Sequence, residues 1–125
     1  MAAIARARRR HTRILVPEIV AGEAFTKLRY DRRISGRGDA RAALAVFDML
    51  TADPALFEVR GMPLEGHRRS IELLAGYVDQ AFSYVDAIVL LVADDDRRAD
   101  TLLTVDSSLA AYRFGHTVSI SAPEL

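Results

Sequence analysis

Cysteine is missing from this chain, so disulfides and thiolate metal sites are excluded. No apolar run approaches the roughly 18 residues that a membrane span requires. The opening Met1-Ala-Ala-Ile-Ala-Arg places its charge after a small apolar run, the reverse of a secretory leader. No glycine-rich phosphate loop is present, because Ser35-Gly36-Arg37-Gly38 is too short and follows no strand. The histidines His11, His67 and His116 are scattered without metal-ligand spacing and read as surface residues. These absences lead to the expectation of a cytoplasmic protein. Lysine is also scarce: 16 of the 17 basic residues are arginines, whose fork binds phosphates bidentately.

What is present is a chain of 125 residues, the length of one domain with a single core, and residues 1–125 are read as such a domain. Hydrophobic residues make up 50% and charged residues 27%, an ordinary balance for a globular chain. The formal net charge is zero but unevenly spread. Residues 1–41 hold 11 of the 17 basic side chains and 4 of the 17 acidic ones, a local +7 against −7 in the remainder. A basic end facing an acidic site suits a polyanion held beside a metal. For any single arginine taken alone, a solvated helix face is the better account.

Residues 1–10 read as a helix with Ile4 and alanines against arginines. It carries no N-cap, which leads to the expectation that its beginning lies ahead of this chain. Thr12–Val16 is a β-prone run, and Pro17 stands at the favoured first position of a helix carrying Ile19, Val20, Glu23, Phe25 and Leu28. That helix fades into the polar stretch Ser35–Asp39. Asp39 is then the expected N-cap of a helix over Ala40–Thr51, with Leu44, Phe47 and Leu50 at helical spacing. Ala55–Val59 reads as a second strand and Leu64–Val78 as a helix. The central stretch from Ser83 to Ala93 is a capped apolar helix, followed by a charged loop over Asp94–Asp100. Leu102–Val105 reads as a third strand, Ser107–Tyr112 as a short helix and His116–Ser121 as a fourth strand. Helices alternating with short apolar strands predict an α/β domain with a short parallel sheet.

Three carboxylates stand out in this layout. Glu23 follows Ile19 and Val20 by four and three residues and shares their helix face, where it is either a functional acid or a rim residue reaching solvent. Asp86 falls at the third helical position after Ser83, which a capping box alone explains. Asp106 stands where the third strand runs out and also reads as the cap of the next short helix. In parallel α/β sheets functional groups gather at the carboxyl ends of strands and the helix starts that follow. Three acids converging there repel one another unless a hard cation lies between them, and Mg²⁺ or Mn²⁺ bound to oxygen ligands brings water that can act as a nucleophile. Asp94-Asp95-Asp96 reads instead as a solvated acidic loop.

Three stretches resemble the PIN domains, most closely the ribonuclease toxins of VapBC toxin–antitoxin systems. They are Val16-Pro17-Glu18-Ile19-Val20-Ala21-Gly22-Glu23, then Tyr77-Val78-Asp79-Gln80-Ala81-Phe82-Ser83-Tyr84-Val85-Asp86-Ala87, and Leu103-Thr104-Val105-Asp106. The resemblance runs from about residue 3 to the end. It implies a small PIN-like three-layer α/β sandwich, endoribonuclease activity on structured RNA such as tRNA or rRNA, and Mg²⁺ or Mn²⁺ as cofactor. It further implies a VapB-like antitoxin as partner and a homodimer. By the same resemblance Glu23, Asp86 and Asp106 match the second, third and fourth acidic positions of the family. Asp79 matches an auxiliary acid that joins the metal set, and Ser83 and Thr104 match flanking polar positions. The family opens with a strand ending in Asp-Thr/Ser-Ser/Asn, and nothing like it precedes Thr12. The chain is therefore expected to start after that strand, lacking the first acid, with Glu18 or Asp79 as conceivable replacements. Two functions follow from the resemblance: a metal-dependent endoribonuclease toxin, or a non-catalytic PIN-like interaction module that binds an antitoxin or a dimer partner.

Overall fold

The computed structural model describes residues 2–30 and 39–122, which fall into two compact units, Ile4–Gly61 and the chain from Met62 onward. In the first unit, helix α1 (Ala2–Arg10) leads to strand β1 (Ile14–Pro17), helices α2 (Glu18–Tyr30) and α3 (Ala40–Ala52), and strand β2 (Phe57–Arg60). β1 and β2 pair in parallel with Ile14 opposite Phe57 and Val16 opposite Val59. Parallel strands need a long crossover, and α2 and α3 supply it. The apolar spacing of these helices packs Phe25 edge-on to Phe47, ring centroids 5.5 Å apart. Ala7, Ala21, Leu50, Leu56 and Phe57 form the buried core, with Ile4, Ile14, Val16, Val46 and Phe47 packed around it.

Asp39 caps α3 as its position predicts, its carboxylate accepting from the backbone N–H of Arg41 and Ala42 at 2.9 and 3.1 Å. Pro17 corrects its expected place by one residue: it closes β1, and α2 begins at Glu18. A proline keeps the residue before it extended, so the strand runs up to the ring. The expected fading of α2 into Ser35–Asp39, and the Ser35-Gly36-Arg37-Gly38 stretch, lie outside the described residues except for Asp39.

In the second unit, helix α4 (Leu64–Gly76) packs against helix α5 (Tyr84–Asp95), followed by strand β3 (Thr101–Leu103), a 3₁₀ turn over Ser107–Ala111, and strand β4 (Ser119–Ser121). β3 and β4 pair in parallel, Leu102 opposite Ile120. α5 is apolar almost all round because it is the centre of this unit: Ala87, Ile88, Leu90, Leu91, Val92 and Ala93 are all buried. Leu90 and Leu109 are the largest side chains fully enclosed in the cluster that also takes Leu73, Ala87, Leu91 and Leu102.

The chain is thus of mixed α/β class with parallel strand pairs, as the alternation predicts. The strands form two pairs, β1–β2 and β3–β4, and each is shorter than its β-prone run. The ladder ends where a partner backbone ends, a limit that local propensity does not encode. No helix among the described residues is long and apolar enough to cross a membrane.

Candidate functional site

Asp86 and Asp106 share one structural device. At the start of α5, the Ser83 hydroxyl accepts from the Asp86 N–H at 3.0 Å, and the Ser83 N–H donates to Asp86 Oδ2 at 2.8 Å. This reciprocal capping box satisfies two helix-terminal donors and brings the carboxylate toward the positive end of the helix dipole. After β3, the Thr104 hydroxyl accepts from the Asp106 N–H at 3.1 Å, and Asp106 Oδ1 accepts from the Ser108 N–H at 3.0 Å and the Ser108 hydroxyl at 2.6 Å. Those two bonds from Ser108 hold the Asp106 carboxyl below the usual carboxylate range, keeping it anionic at neutral pH. Ser83 and Thr104, named from the resemblance as flanking polar groups, each fix the backbone of the acid that follows.

The remaining acids are less constrained. Asp79 is exposed in the turn after α4, where the Gln80 N–H donates to the Tyr77 carbonyl at 2.9 Å. Glu23 is exposed on α2 beside the half-buried Ile19 and Val20, as a rim residue would be, and belongs to the other unit from Asp79, Asp86 and Asp106. Glu18 is also exposed, its Oε2 lying 3.1 Å from the position a side chain on Gly61 would occupy. Among the described residues no group of three or more histidine, aspartate or glutamate side chains is placed to hold a metal ion. The Mg²⁺ or Mn²⁺ that the resemblance implies therefore stays an expectation, and no chemical step is routed through one.

The stretch Asp94-Asp95-Asp96 corrects the reading of a solvated acidic loop. Asp94 and Asp95 belong to α5, and all three carboxylates have partners. Asp94 accepts from the Tyr112 hydroxyl at 2.8 Å and the Gly115 N–H at 2.7 Å. Asp95 takes both arms of the Arg69 guanidinium at 2.7 and 2.8 Å, and Asp96 pairs with Arg98. The bidentate bond from Arg69 holds the Asp95 carboxyl low and raises the Arg69 guanidinium in turn. Burial, with Asp94 alongside, pushes the Tyr112 phenol well above its ordinary value.

His116 is likewise not a surface residue. Its side chain is 14% exposed, Nε2 lies 2.8 Å from the Ala99 carbonyl, and Nδ1 sits 3.9 Å from Asp94 Oδ1 without a hydrogen-bond partner. The Asp94–Tyr112–His116 cluster escapes sequence reading because Asp94 stands 18 positions before Tyr112 with no motif spacing. His67 stacks on Tyr84, ring centroids 5.8 Å apart, with Nδ1 bonded to the phenolic oxygen, and only His11 remains fully exposed as read. No protein-family model, curated protein or solved structure matches the chain.

Proposed function

We propose that this chain is an endoribonuclease of the VapC toxin type that cleaves structured RNA, with Glu23, Asp86 and Asp106 as its acidic residues. The observation carrying this reading is the matched pair of hydroxyl-anchored aspartates in one unit, Ser83–Asp86 opening α5 and Thr104–Asp106 ahead of the 3₁₀ turn. Each stands at a helix start where an anionic group is stabilised, and the two motifs are those of the PIN resemblance. Mg²⁺ or Mn²⁺ as cofactor, with Asp79 among its ligands, a VapB-like antitoxin, a homodimer, the PIN-like sandwich and a cytoplasmic location all belong to this proposal.

The decisive assay is Mn²⁺-dependent cleavage of a panel of structured RNAs, tRNAs included, by the 125-residue chain, with Asp86→Asn as control. An asparagine oxygen still accepts from the Ser83 N–H, so the cap and the fold survive the substitution. Cleavage falling by about 10²-fold or more in that variant supports the reading, on the scale of losing one catalytic acid or base. Equal cleavage by a normally folded Asp86→Asn protein overturns it.

A second function is favoured by one observation. Asp86 and Asp106 are fully accounted for as caps, which suits a non-catalytic interaction module. Undetectable Mn²⁺ binding together with tight antitoxin or self-association would establish that function instead.

A further inference from the structure

The α1 stretch treats its arginines in two ways. Arg8 reaches Asp53 at 3.6 Å and Arg13 reaches Glu58 at 2.8 Å, so both are matched by acids of their own unit. Arg6, Arg9 and Arg10 are exposed and make no hydrogen bond or ion pair among the described residues. Their i, i+3, i+4 spacing puts them together on one exposed helix face, while Ile4 and the buried Ala7 join the core. No acid stands in the first turn of α1 to relieve them.

Like charges at this spacing destabilise a helix. The C-terminal dipole of α1 accounts for Arg9 and Arg10 in the last turn but not for Arg6. The backbone adds a second cost. His11 follows the helix at φ 54°, a left-handed conformation usually given to glycine. There the Thr12 N–H donates to the Ala7 carbonyl at 3.0 Å and the His11 N–H to the Arg8 carbonyl at 3.3 Å, a Schellman closure carrying an exposed imidazole beside the arginine face. Residues 4–61 carry 12 basic against 7 acidic side chains, a formal +5, so the unit that bears this face is basic in composition.

From this we infer that Arg6, Arg9 and Arg10, flanked by His11, form the surface on which the phosphodiester backbone of a structured RNA docks. The inference rests on the ribonuclease reading and assigns the substrate-holding face for it. Guanidinium forks on successive turns suit a row of phosphates, to which they bond bidentately. A protein partner is disfavoured because protein interfaces centre on apolar and aromatic groups, and none of the exposed large hydrophobic residues lies on α1.

The test measures binding of a labelled tRNA transcript in EDTA, where no metal-dependent cleavage occurs, between 50 and 200 mM salt, the range over which phosphate contacts are read. The full chain is compared with Arg6→Gln/Arg9→Gln/Arg10→Gln and with a control, Arg68→Gln/Arg97→Gln/Arg113→Gln. Glutamine keeps helix propensity, so α1 persists, and circular dichroism checks it. The expected result is a 10- to 100-fold loss of affinity in the α1 variant, with the log–log salt slope reduced by about 2 to 3 and less than twofold change in the control. Unchanged affinity and slope in the α1 variant overturn the inference while leaving the ribonuclease reading to its own cleavage assay. A wild-type chain that captures polyglutamate through α1 in preference to the tRNA also overturns it and gives this face to an acidic protein. A wild-type chain that neither binds nor cleaves any RNA removes both proposals together.

Discussion

Asp94 ties two separate segments of the second unit together. Its carboxylate accepts from Tyr112 and Gly115 while His116 Nδ1 lies within 3.9 Å, so the end of α5 is tied to the segment that leads into β4. Asp94→Ala leaves a phenol and a backbone N–H without their acceptor, and a loss of about 2–4 kcal/mol is expected in urea unfolding. Tyr112→Phe removes one of the two bonds and costs about 1 kcal/mol. Asp95 gives a pH signature. Its folded pKa lies below the ordinary 3.8, so the unfolded chain binds the proton more readily. The Arg69–Asp95 contribution is then complete above that ordinary value and lost as pH falls through the depressed folded value. Stability measured from pH 6 down to pH 2 is expected to drop less steeply in Asp95→Asn than in the wild type. A parallel decline in both proteins would show that the pair does not drive the acid limb. The left-handed His11 makes a third case: His11→Gly relieves the strain at the end of α1, and stability is expected to rise by about 0.5–1 kcal/mol.

Caps and core spacing govern the elements. Ser83→Ala removes the hydroxyl that receives the Asp86 N–H and is expected to cost about 1 kcal/mol, most of it recovered by Ser83→Thr. Leu90→Ala opens a cavity at the centre of the α5 cluster, and chemical denaturation should register about 2–5 kcal/mol. The two substitutions act on the same helix by different physics, which a double variant distinguishes. If cap and core are independent, their costs add to within about 0.5 kcal/mol. These helix starts were readable beforehand because a cap is a conversation between residues two or three positions apart. Asp39, Ser83 and Asp106 all sit where their local pattern places them. Strand ends were less readable. β3 starts one residue before its apolar run and stops two short of it, because Ser119–Ser121 is the length of partner available.

At the scale of the whole molecule, the charge is sorted by unit. Residues 4–61 carry a formal +5 and the remainder −5, with a sequence pI of about 6.8. A chain without net charge but with oppositely charged halves attracts its own copies at low ionic strength. Light scattering near pH 7 is expected to show association at about 10 mM salt that weakens by about 150 mM, where the Debye length has shrunk to about 8 Å. Association unaffected by salt would point to an apolar contact instead.

The amino-acid order alone settles what depends on near neighbours and on composition. That covers the absence of disulfides, the α/β alternation, the helix caps, the apolar stripe of α5 and the segregation of charge. Each is a matter of counting, or of bonds that close within a helical turn. Folding settles which distant groups meet. Arg69 finds Asp95 across 26 positions and Tyr112 finds Asp94 across 18, so residues read as a solvated loop become acids held by distant partners. His116 passes from an expected surface position to near burial for the same reason. Conversely, Asp86 and Asp106 keep the local partners their spacing predicts, and the described residues assemble no three-acid cluster around them. A cap needs only its own turn of helix, whereas a shared site needs separate elements brought to one point, and no local pattern specifies that geometry.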